Sequence, residues 1–189
     1  MRHHIDHHQA RAMGVFARHV AVILGEPEAI TSPMPNVPPE VSIRPIVPHD
    51  YKQWRSLWDG YNAFYGRQGE TALPETITQA TWERFFSCTE PVHALVAVEG
   101  SSVLGLVHYL FHRSTTRLQD VCYLQDLYTA PSHRGQRIGQ RLIEAVYAAA
   151  RAEGSTRVYW QTQVSNTAGR ALYDKVARHA GFIVYSHEL

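Results

Sequence analysis

Cysteine, net charge and long apolar runs are all scarce in this sequence, and each scarcity excludes a class of protein. Two cysteines among 189 residues, Cys88 and Cys122, cannot form a disulfide framework, and we expect both to be reduced thiols in the core. Lysine and arginine number 18 against 17 acidic residues, so the net charge of +1 gives no general attraction for nucleic acid or anionic membranes. No apolar run approaches the roughly 18 residues that a membrane-spanning helix needs. The sequence therefore predicts a soluble cytoplasmic protein that has neither nucleic acid nor a membrane as its partner.

The first 40 residues differ from the rest and predict an N-terminal extension, with residues 41–189 forming one domain. Four histidines stand near the start: His3, His4, His7 and His8. Paired on one helix face they could hold a metal, although a disordered polar tail is the favoured interpretation. A proline-rich linker follows and ends at Pro39. We therefore expect a mobile extension without a metal, and normal folding and turnover in a chain that begins at Met34.

One stretch has the character of a phosphate-binding loop. Residues 124–128 are typical of a short buried strand, and apolar residues recur at helical spacing from Ile138 onward. Between them, Gly135 and Gly139 would let backbone N–H groups approach a ligand closely. The unpaired N–H groups and the dipole of the following helix favour an anion there, and a pyrophosphate is the expected guest. The residues alone also fit a strand-to-helix turn whose glycines serve geometry only.

The loop resembles the acetyl-CoA signature of the GNAT family, the Gcn5-related N-acetyltransferases. The segment Arg134-Gly-Gln-Arg-Ile-Gly139 matches the ends of the family's Arg/Gln-x-x-Gly-x-Gly/Ala pattern. Arg137 stands where the family usually has glycine, which is tolerable only if its backbone φ is negative. A second motif follows at the usual distance, namely Asn166-Thr-Ala-Gly-Arg-Ala-Leu-Tyr173 and then Gly181-Phe182. The resemblance extends from about Val41 to the C terminus.

The element order and the resemblance together imply an α/β protein with the GNAT fold. This fold has a mixed, mostly antiparallel twisted sheet flanked by helices. Strands are predicted at 41–46, 92–98, 103–112, 121–128, 157–162 and 182–185. Helices are predicted at 51–64 with Asp50 as N-cap, at 78–88, from 138 to a cap at Gly154, and from 166 or 167 to Gly181. The resemblance implies that strands 124–129 and 158–163 splay apart and bind the pantetheine arm of acetyl-CoA.

The resemblance assigns the acetyl-CoA contacts to one strand, the glycine loop and the second motif. The implied cofactor-binding residues are Leu127, Tyr128, Thr129, Arg134, Gly135, Gln136, Arg137, Ile138, Gly139, Gln140 and Asn166. Asn166 would contact an amide of the pantetheine arm, and a main-chain N–H near Leu127 or Thr129 would polarise the thioester carbonyl. Acetyl-CoA is therefore the expected cosubstrate, and no metal is expected.

Acetyl transfer to an amine needs a proton donor for the departing thiolate and a way to deprotonate the amine. Tyr173 matches the tyrosine that the family commonly uses as the donor, and a phenol with its ordinary pKa near ~10 is protonated at neutral pH. The alternative is a half-buried aromatic residue on an amphipathic helix. Tyr173 is thus predicted as the general acid.

The base is less clear from the sequence. The segment Tyr123-Leu-Gln-Asp-Leu-Tyr128 resembles a stretch of the spermidine/spermine acetyltransferases, in which Gln125 is replaced by a glutamate proposed to take the amine's proton. Asp126 is the predicted catalytic carboxylate, although neighbouring strand residues face opposite ways. It could bind a cationic substrate, act through water, or pair with an arginine such as Arg157. His108 and His112 are further titratable candidates.

Aromatic residues at helical spacing in the first helix suggest both a core and a substrate pocket. Trp58, Tyr61 and Tyr65 are the predicted acceptor-binding residues together with Gln125, because the first helices of GNAT proteins form one wall of the acceptor groove. Core packing is the alternative for each ring.

The looser matches resemble a branch that includes the Hpa-type acetyltransferases. They imply acetyl transfer to a primary amine of a polyamine, an amino-acid-like molecule or a protein lysine. The departures at Gln125 and Arg137 keep open a CoA-binding sensor or partner-binding module without catalysis.

The C-terminal strand predicts a homodimer. The segment Gly181-Phe-Ile-Val-Tyr185 is apolar, and few residues follow it before Leu189. An uncovered strand of this kind exposes N–H and C=O groups that can pair with another chain. We therefore expect two-fold association through this edge.

Overall fold

The computed structural model describes residues 40–189, and the expectations for the N-terminal extension concern residues outside this part of the chain. The strands in the described part are β1 (Ser42–Pro45), β2 (Val92–Glu99), β3 (Ser102–His112), β4 (Val121–Thr129) and β5 (Val158–Tyr159). The α-helices there are α1 (Tyr51–Phe64), α2 (Glu75–Arg84), α3 (Ile138–Ala152) and α4 (Thr167–Val176).

The strands form one sheet in chain order, β1-β2-β3-β4-β5. The first three pairings are antiparallel and β4 pairs with β5 in parallel, which confirms the expected mixed and mostly antiparallel sheet. Alternate residues of β3 face opposite layers, since Leu106 packs with α1 and Val107 packs with α3. The sheet therefore separates two hydrophobic cores, one under α1 and α2 and the other under α3.

Helix α1 buries a stripe of large side chains that explains why it packs on the sheet. Trp54, Leu57, Trp58 and Tyr61 are buried and recur at positions i, i+3, i+4 and i+7 of the helix. The indoles of Trp54 and Trp58 stack with ring centroids 6.0 Å apart. Burying each such ring contributes at least about 1.5–3 kcal/mol, so this stripe holds α1 rigidly against β3 and β4.

Asp50 precedes α1 as predicted, but its carboxylate does not cap that helix. It instead accepts hydrogen bonds of 2.7 and 2.8 Å from the Arg44 guanidinium and one of 2.9 Å from the Val47 N–H. The Arg44 guanidinium, with which it pairs, is the main cause that holds the pKa of Asp50 below its ordinary value. The pair ties β1 to the start of α1.

Replacing Asp50 with asparagine should lower stability in a pH-dependent way. A carboxyl group whose pKa is lowered by folding stabilises the protein above its unfolded pKa, and this contribution is lost as pH falls through the folded pKa. We expect Asp50→Asn to lower the free energy of unfolding by about 1–3 kcal/mol at pH 7. Urea unfolding at pH 7 and at acid pH measures this; a difference that does not narrow below about pH 4 would contradict it.

A β-bulge in β4 decides where the candidate site residues point. His108 of β3 pairs with Asp126, but the next residue of β3, Tyr109, pairs with Leu124. Gln125 is therefore the extra residue of the bulge and is exposed, whereas Asp126 is buried on the α1 face of the sheet. The bulge thus gives Gln125 and Asp126 different surroundings, although they are consecutive in the sequence.

Several element boundaries differ from the predictions. The second helix lies at 75–84 instead of 78–88, β5 has only two residues, and α4 ends at Val176 instead of Gly181. The predicted last strand is wrong, because residues 182–185 lie in no strand and are mostly exposed. The prediction of two core thiols is half wrong, since Cys122 is buried but Cys88 is exposed.

Candidate active site

Strands β4 and β5, at one edge of the described sheet, separate after a short pairing. Their pairing stops at Tyr123 and Tyr159, so that β4 continues from Leu124 without a partner on that side. A cavity of about 810 Å³ opens there between β4, the loop before α3, and α4. This is the position at which the splayed strand pair was predicted.

Most of the predicted site residues line this one cavity. Those lining it are Tyr61, Tyr65, Gln125, Leu127, Tyr128, Thr129, Arg134, Gly135, Arg137, Ile138, Gly139, Gln140, Asn166 and Tyr173. Among the predicted residues, Trp58, Asp126 and Gln136 do not line it. Trp58 is instead a core residue that stacks on Tyr61 with ring centroids 5.4 Å apart.

The glycine loop brings an uncapped helix end to the cavity. Helix α3 begins at Ile138, and no side chain accepts a hydrogen bond from its first N–H groups. Arg137 at the N-cap has a φ of +61°, so the expectation of a negative φ is wrong. The left-handed backbone turns the chain into the helix where the family uses glycine, and it leaves the first N–H groups of α3 facing the cavity.

The positive φ of Arg137 should therefore lower the stability of the fold, while its charge should favour the binding of an anionic ligand. A non-glycine residue in the left-handed region is strained by roughly 1–2 kcal/mol, and glycine recovers part of this despite its freer unfolded chain. We expect Arg137→Gly to raise the melting temperature and also to raise the KM for acetyl-CoA, since a cation is lost. Arg137→Ala removes the same charge but keeps the strain, so it should raise only the KM. Equal melting temperatures for the two variants would contradict the strain argument.

The charge of the cavity lining is one-sided. Arg134, Arg137 and Lys175 line it, and no aspartate or glutamate does so among the described residues. The Arg134 side chain lies over the Tyr128 ring at 5.6 Å and donates to the Thr129 carbonyl at 3.3 Å. An anionic ligand of several phosphates fits such a lining, because each cation offsets part of its charge.

Tyr173 projects from α4 into the cavity. Its ring meets Trp160 edge to face, with centroids 5.4 Å apart. Burial, followed by the nearby Tyr65, raises the pKa of the Tyr173 phenol to about 12. The phenol is therefore neutral at physiological pH and holds a proton that it can donate.

Asn166 occupies the N-cap position of α4. Its Oδ1 accepts the Gly169 N–H at 3.1 Å, and its Nδ2 donates to the Thr162 hydroxyl at 2.9 Å. Asn166 thus fixes the start of α4, and with it the placement of Tyr173, in addition to lining the cavity.

The predicted acceptor side is a wall of rings. Tyr61 and Tyr65 meet edge to face at 5.1 Å, and Phe64 packs against Tyr65 at 5.0 Å. The Arg67 guanidinium lies against both tyrosine rings, 5.8 Å from the centroid of Tyr61 and 5.4 Å from that of Tyr65. Gln125 completes the lining on the β4 side.

Asp126 lies behind this wall and pairs with His108, not with an arginine. The His108 Nδ1 is 2.9 Å from Asp126 Oδ2, and both residues are buried. Arg157 instead stacks over the Tyr159 ring at 4.6 Å. His112 contacts the Tyr159 hydroxyl at 2.8 Å and the Arg113 carbonyl, so it belongs to a different cluster from His108.

Sequence reasoning missed part of the lining. Trp160, Gln161, Leu172 and Lys175 also face the cavity. Leu172 and Lys175 stand one residue before and two after Tyr173, so helical spacing from Tyr173 would not have indicated them. Trp160 and Gln161 follow the short strand β5, and their direction depends on where the strands separate, which carries no local signal.

Two features are absent from the described part of the chain. No helix in residues 40–189 combines the length and apolar character needed to cross a bilayer. In the same residues, no three histidine, cysteine or acidic side chains lie close enough together to hold a metal ion.

Comparison with known proteins identifies the family. The family model described as acetyltransferase (GNAT) family matches residues 54–177. The D-amino-acid N-acetyltransferase HPA3 of Saccharomyces cerevisiae is 31% identical over 147 residues, which cover 77% of this chain and 89% of HPA3.

Solved structures show the same fold. The aminoglycoside N-acetyltransferase AAC(6')-Iy in complex with CoA aligns with a TM-score of 0.69 at 15% identity, over 82% of this chain and 99% of that one. An integron cassette protein from the mobile metagenome of V. cholerae aligns with a TM-score of 0.65 at 22% identity, over 78% and 92% of the two chains. The chain therefore belongs to the GNAT family, near its Hpa-type branch, and is an acyltransferase.

Proposed function

We propose that this protein transfers the acetyl group of acetyl-CoA to the amino group of an amino acid or a similar small amine that carries a carboxylate. The observation that carries the acceptor class is that no acidic side chain stands in the described lining of the cavity. The similarity to a D-amino-acid N-acetyltransferase points to the same class.

The donor is proposed to lie along β4 with its pyrophosphate at the start of α3. Gly135 and Gly139 keep that helix end open, and Arg134 and Arg137 add positive charge. The unpaired backbone of β4 beyond Tyr123 offers hydrogen bonds to the pantetheine arm. The acyl group then ends near Tyr173, whose neutral phenol protonates the departing thiolate.

The lining argues against a polyamine. A polyamine keeps a second ammonium group after the first has been placed for reaction, and binding it in a cavity requires a carboxylate. An amino acid presents one ammonium and one carboxylate instead. Arg67 does not itself line the cavity, but its guanidinium lies against the Tyr61 and Tyr65 rings that do, and it is proposed to bind that carboxylate.

Initial rates with a panel of amines test the proposal. We expect CoA release with D- or L-amino acids and at most slow release with polyamines and basic peptides. Arg67→Gln should raise the KM for an amino acid with little change in kcat, whereas Arg113→Gln, in an exposed loop, should change neither. Tight acetyl-CoA binding without CoA release from any amine would contradict the proposal and favour a sensor.

We also propose that the protein is a cytoplasmic homodimer that associates through residues 182–185. Phe182, Ile183, Val184 and Tyr185 are consecutive and 66–87% exposed, which is unusual for a solvated surface. A second copy of the same segment is the proposed cover. Light scattering should report about twice the chain mass of 21.4 kDa. Replacing Phe182 and Val184 with serine should give monomers, whereas replacing the isolated exposed Leu118 should not.

A further inference from the structure

Three buried polar side chains meet at the bulge in β4. The Trp54 Nε1–H of α1 donates to His108 Nε2 of β3 across 3.0 Å. His108 Nδ1 in turn lies 2.9 Å from Asp126 Oδ2 of β4. An indole N–H can only donate, so Nε2 accepts, and the ring proton is on Nδ1, from which it is donated to the carboxylate. These two hydrogen bonds join α1, β3 and β4 inside the core.

The surroundings of these contacts are apolar. The centroid of the His108 ring lies 4.7 Å from that of Phe85 and 5.2 Å from that of Trp58. A buried polar or ionic pair seldom stabilises a fold more than well-packed apolar side chains of similar volume would, and its best-attested use is to fix a register. The place of this pair in the sheet indicates such a use.

The pair stands where the ladder between β3 and β4 changes register. Before the bulge, Tyr109 pairs with Leu124. A regular ladder would continue with Gln125 opposite His108, and it would turn Asp126 toward the apolar core under α3, because a shift of one residue moves each side chain to the other face. The observed ladder instead keeps Asp126 opposite His108, where the two side chains hydrogen-bond. The contact therefore favours the bulged register over the regular one.

The residues on either side of Asp126 line the cavity. Gln125 and Leu127 both do so, whereas Asp126 is buried and does not. Neighbouring strand residues also direct their N–H groups to opposite sides, so the register decides which N–H groups bond to β3 and which face the open side of β4 beyond Tyr123. Anchoring Asp126 thus determines which side chains and N–H groups β4 presents to the cavity.

We propose that Asp126, His108 and Trp54 are positioning residues that hold β4 in its bulged register, and that Asp126 is not the catalytic base. The inference rests on the proposed function, in which acetyl-CoA lies along β4. In the bulged register, one outward N–H of β4 donates to the thioester carbonyl, and Gln125 reaches the cavity. In the regular register, neighbouring residues take both places, and a misplacement of about 1 Å lowers a rate by up to about 100-fold.

Two substitutions of Asp126 separate positioning from proton transfer. Asp126→Asn keeps an oxygen that accepts from His108, so kcat should stay within about five-fold of its original value. A catalytic base would instead lose about 100-fold or more on this change. Asp126→Leu removes the acceptor and should lower kcat by roughly 10- to 100-fold. The KM for acetyl-CoA should change less, because the proposed pyrophosphate site at the start of α3 lies outside the bulge. Equal losses of kcat in the two variants would overturn the proposal.

A triple variant tests the register without leaving a buried polar group unpaired. Trp54→Phe, His108→Leu and Asp126→Leu together replace the three polar partners with apolar side chains, so the protein should stay folded. We expect it to lose kcat as Asp126→Leu does. Thr78→Val is the matched control, because the Thr78 hydroxyl accepts the Trp58 N–H at 3.3 Å in the same core but belongs to α2 and takes no part in the ladder. Its kcat should not change.

Cross-strand NOEs report the register without reference to turnover. They should join Leu106 to Tyr128 in the unaltered protein and in Asp126→Asn. In the triple variant, contacts from Leu106 to Leu127 should appear, because the regular ladder pairs these two residues. A folded triple variant that retains only the Leu106–Tyr128 contacts, or that retains full kcat, would overturn the proposal. Failure of the unaltered protein to acetylate any amine would instead refute the proposed function, and the NOEs would still decide the register.

Discussion

Removing the hydroxyl of Tyr173 should lower kcat by roughly ten- to ten-thousand-fold, the range expected for a group that transfers a proton in the rate-limiting step. The phenol lines the cavity on α4, and burial keeps it protonated with a pKa of about 12. Phenylalanine retains the ring that packs against Trp160 and removes only the donor. The KM for acetyl-CoA should therefore stay within a few-fold of its original value, as about the same contacts remain.

Tyr109→Phe provides the control for this experiment. Burial likewise raises the pKa of Tyr109 to about 12, but its side chain lies in the core under α3 and does not line the cavity. Both variants lose one phenolic hydroxyl, and only Tyr173→Phe should lose turnover. Unchanged kcat in Tyr173→Phe would remove Tyr173 from the role of general acid.

Filling the gap between α3 and α4 should abolish productive acetyl-CoA binding. A Cβ on Gly139 would lie 3.1 Å from Leu172 Cδ2 and 3.9 Å from the Thr129 hydroxyl, so a larger side chain would extend between α4 and β4. We expect Gly139→Leu to raise the KM for acetyl-CoA at least about 100-fold, equivalent to about 2.7 kcal/mol of binding free energy. Gly139→Ala should be mild, because the Leu172 methyl is a flexible end that can yield slightly.

Stability measurements separate this effect from misfolding. Leucine favours a helix over glycine by roughly 0.8–1.0 kcal/mol, so the melting temperature should not fall in proportion to the loss of binding. Glu144→Leu, at an exposed position of the same helix, controls for added apolar surface. Titration calorimetry with CoA measures the affinity directly. Wild-type affinity in Gly139→Leu would refute the placement of the donor beside α3.

The sequence was informative wherever the signal was local. Helical spacing located α1 with its correct bounds, and the turn at Gly100 located the β2–β3 hairpin. The loop from Arg134 to Gly139 and the segment around Tyr173 indicated the family, and the structure brings both to one cavity. Local patterns sufficed here because a loop that joins a strand to the following helix lies where that strand ends.

The prediction from sequence failed where β-propensity alone was used to infer a strand. Residues 182–185 are as β-prone as β2, but the structure gives them no strand to pair with. The prediction for Arg137 was also wrong. An arginine favours a negative φ, but the turn into α3 imposes a positive one. Strand pairing and loop strain depend on the surrounding structure, and propensity cannot report them.

The sequence by itself therefore determined the GNAT fold, and it predicted the loop before α3 and Tyr173 as candidate site residues. Only the tertiary structure decided the chemistry on the acceptor side. His108 is 18 residues from Asp126 and 54 from Trp54, so no local pattern relates them. The bulge at Gln125 reverses the facing of β4 by one residue, and side chains on a strand alternate with a period of two. For that reason Asp126 lies in the core against His108 while Gln125 faces the cavity.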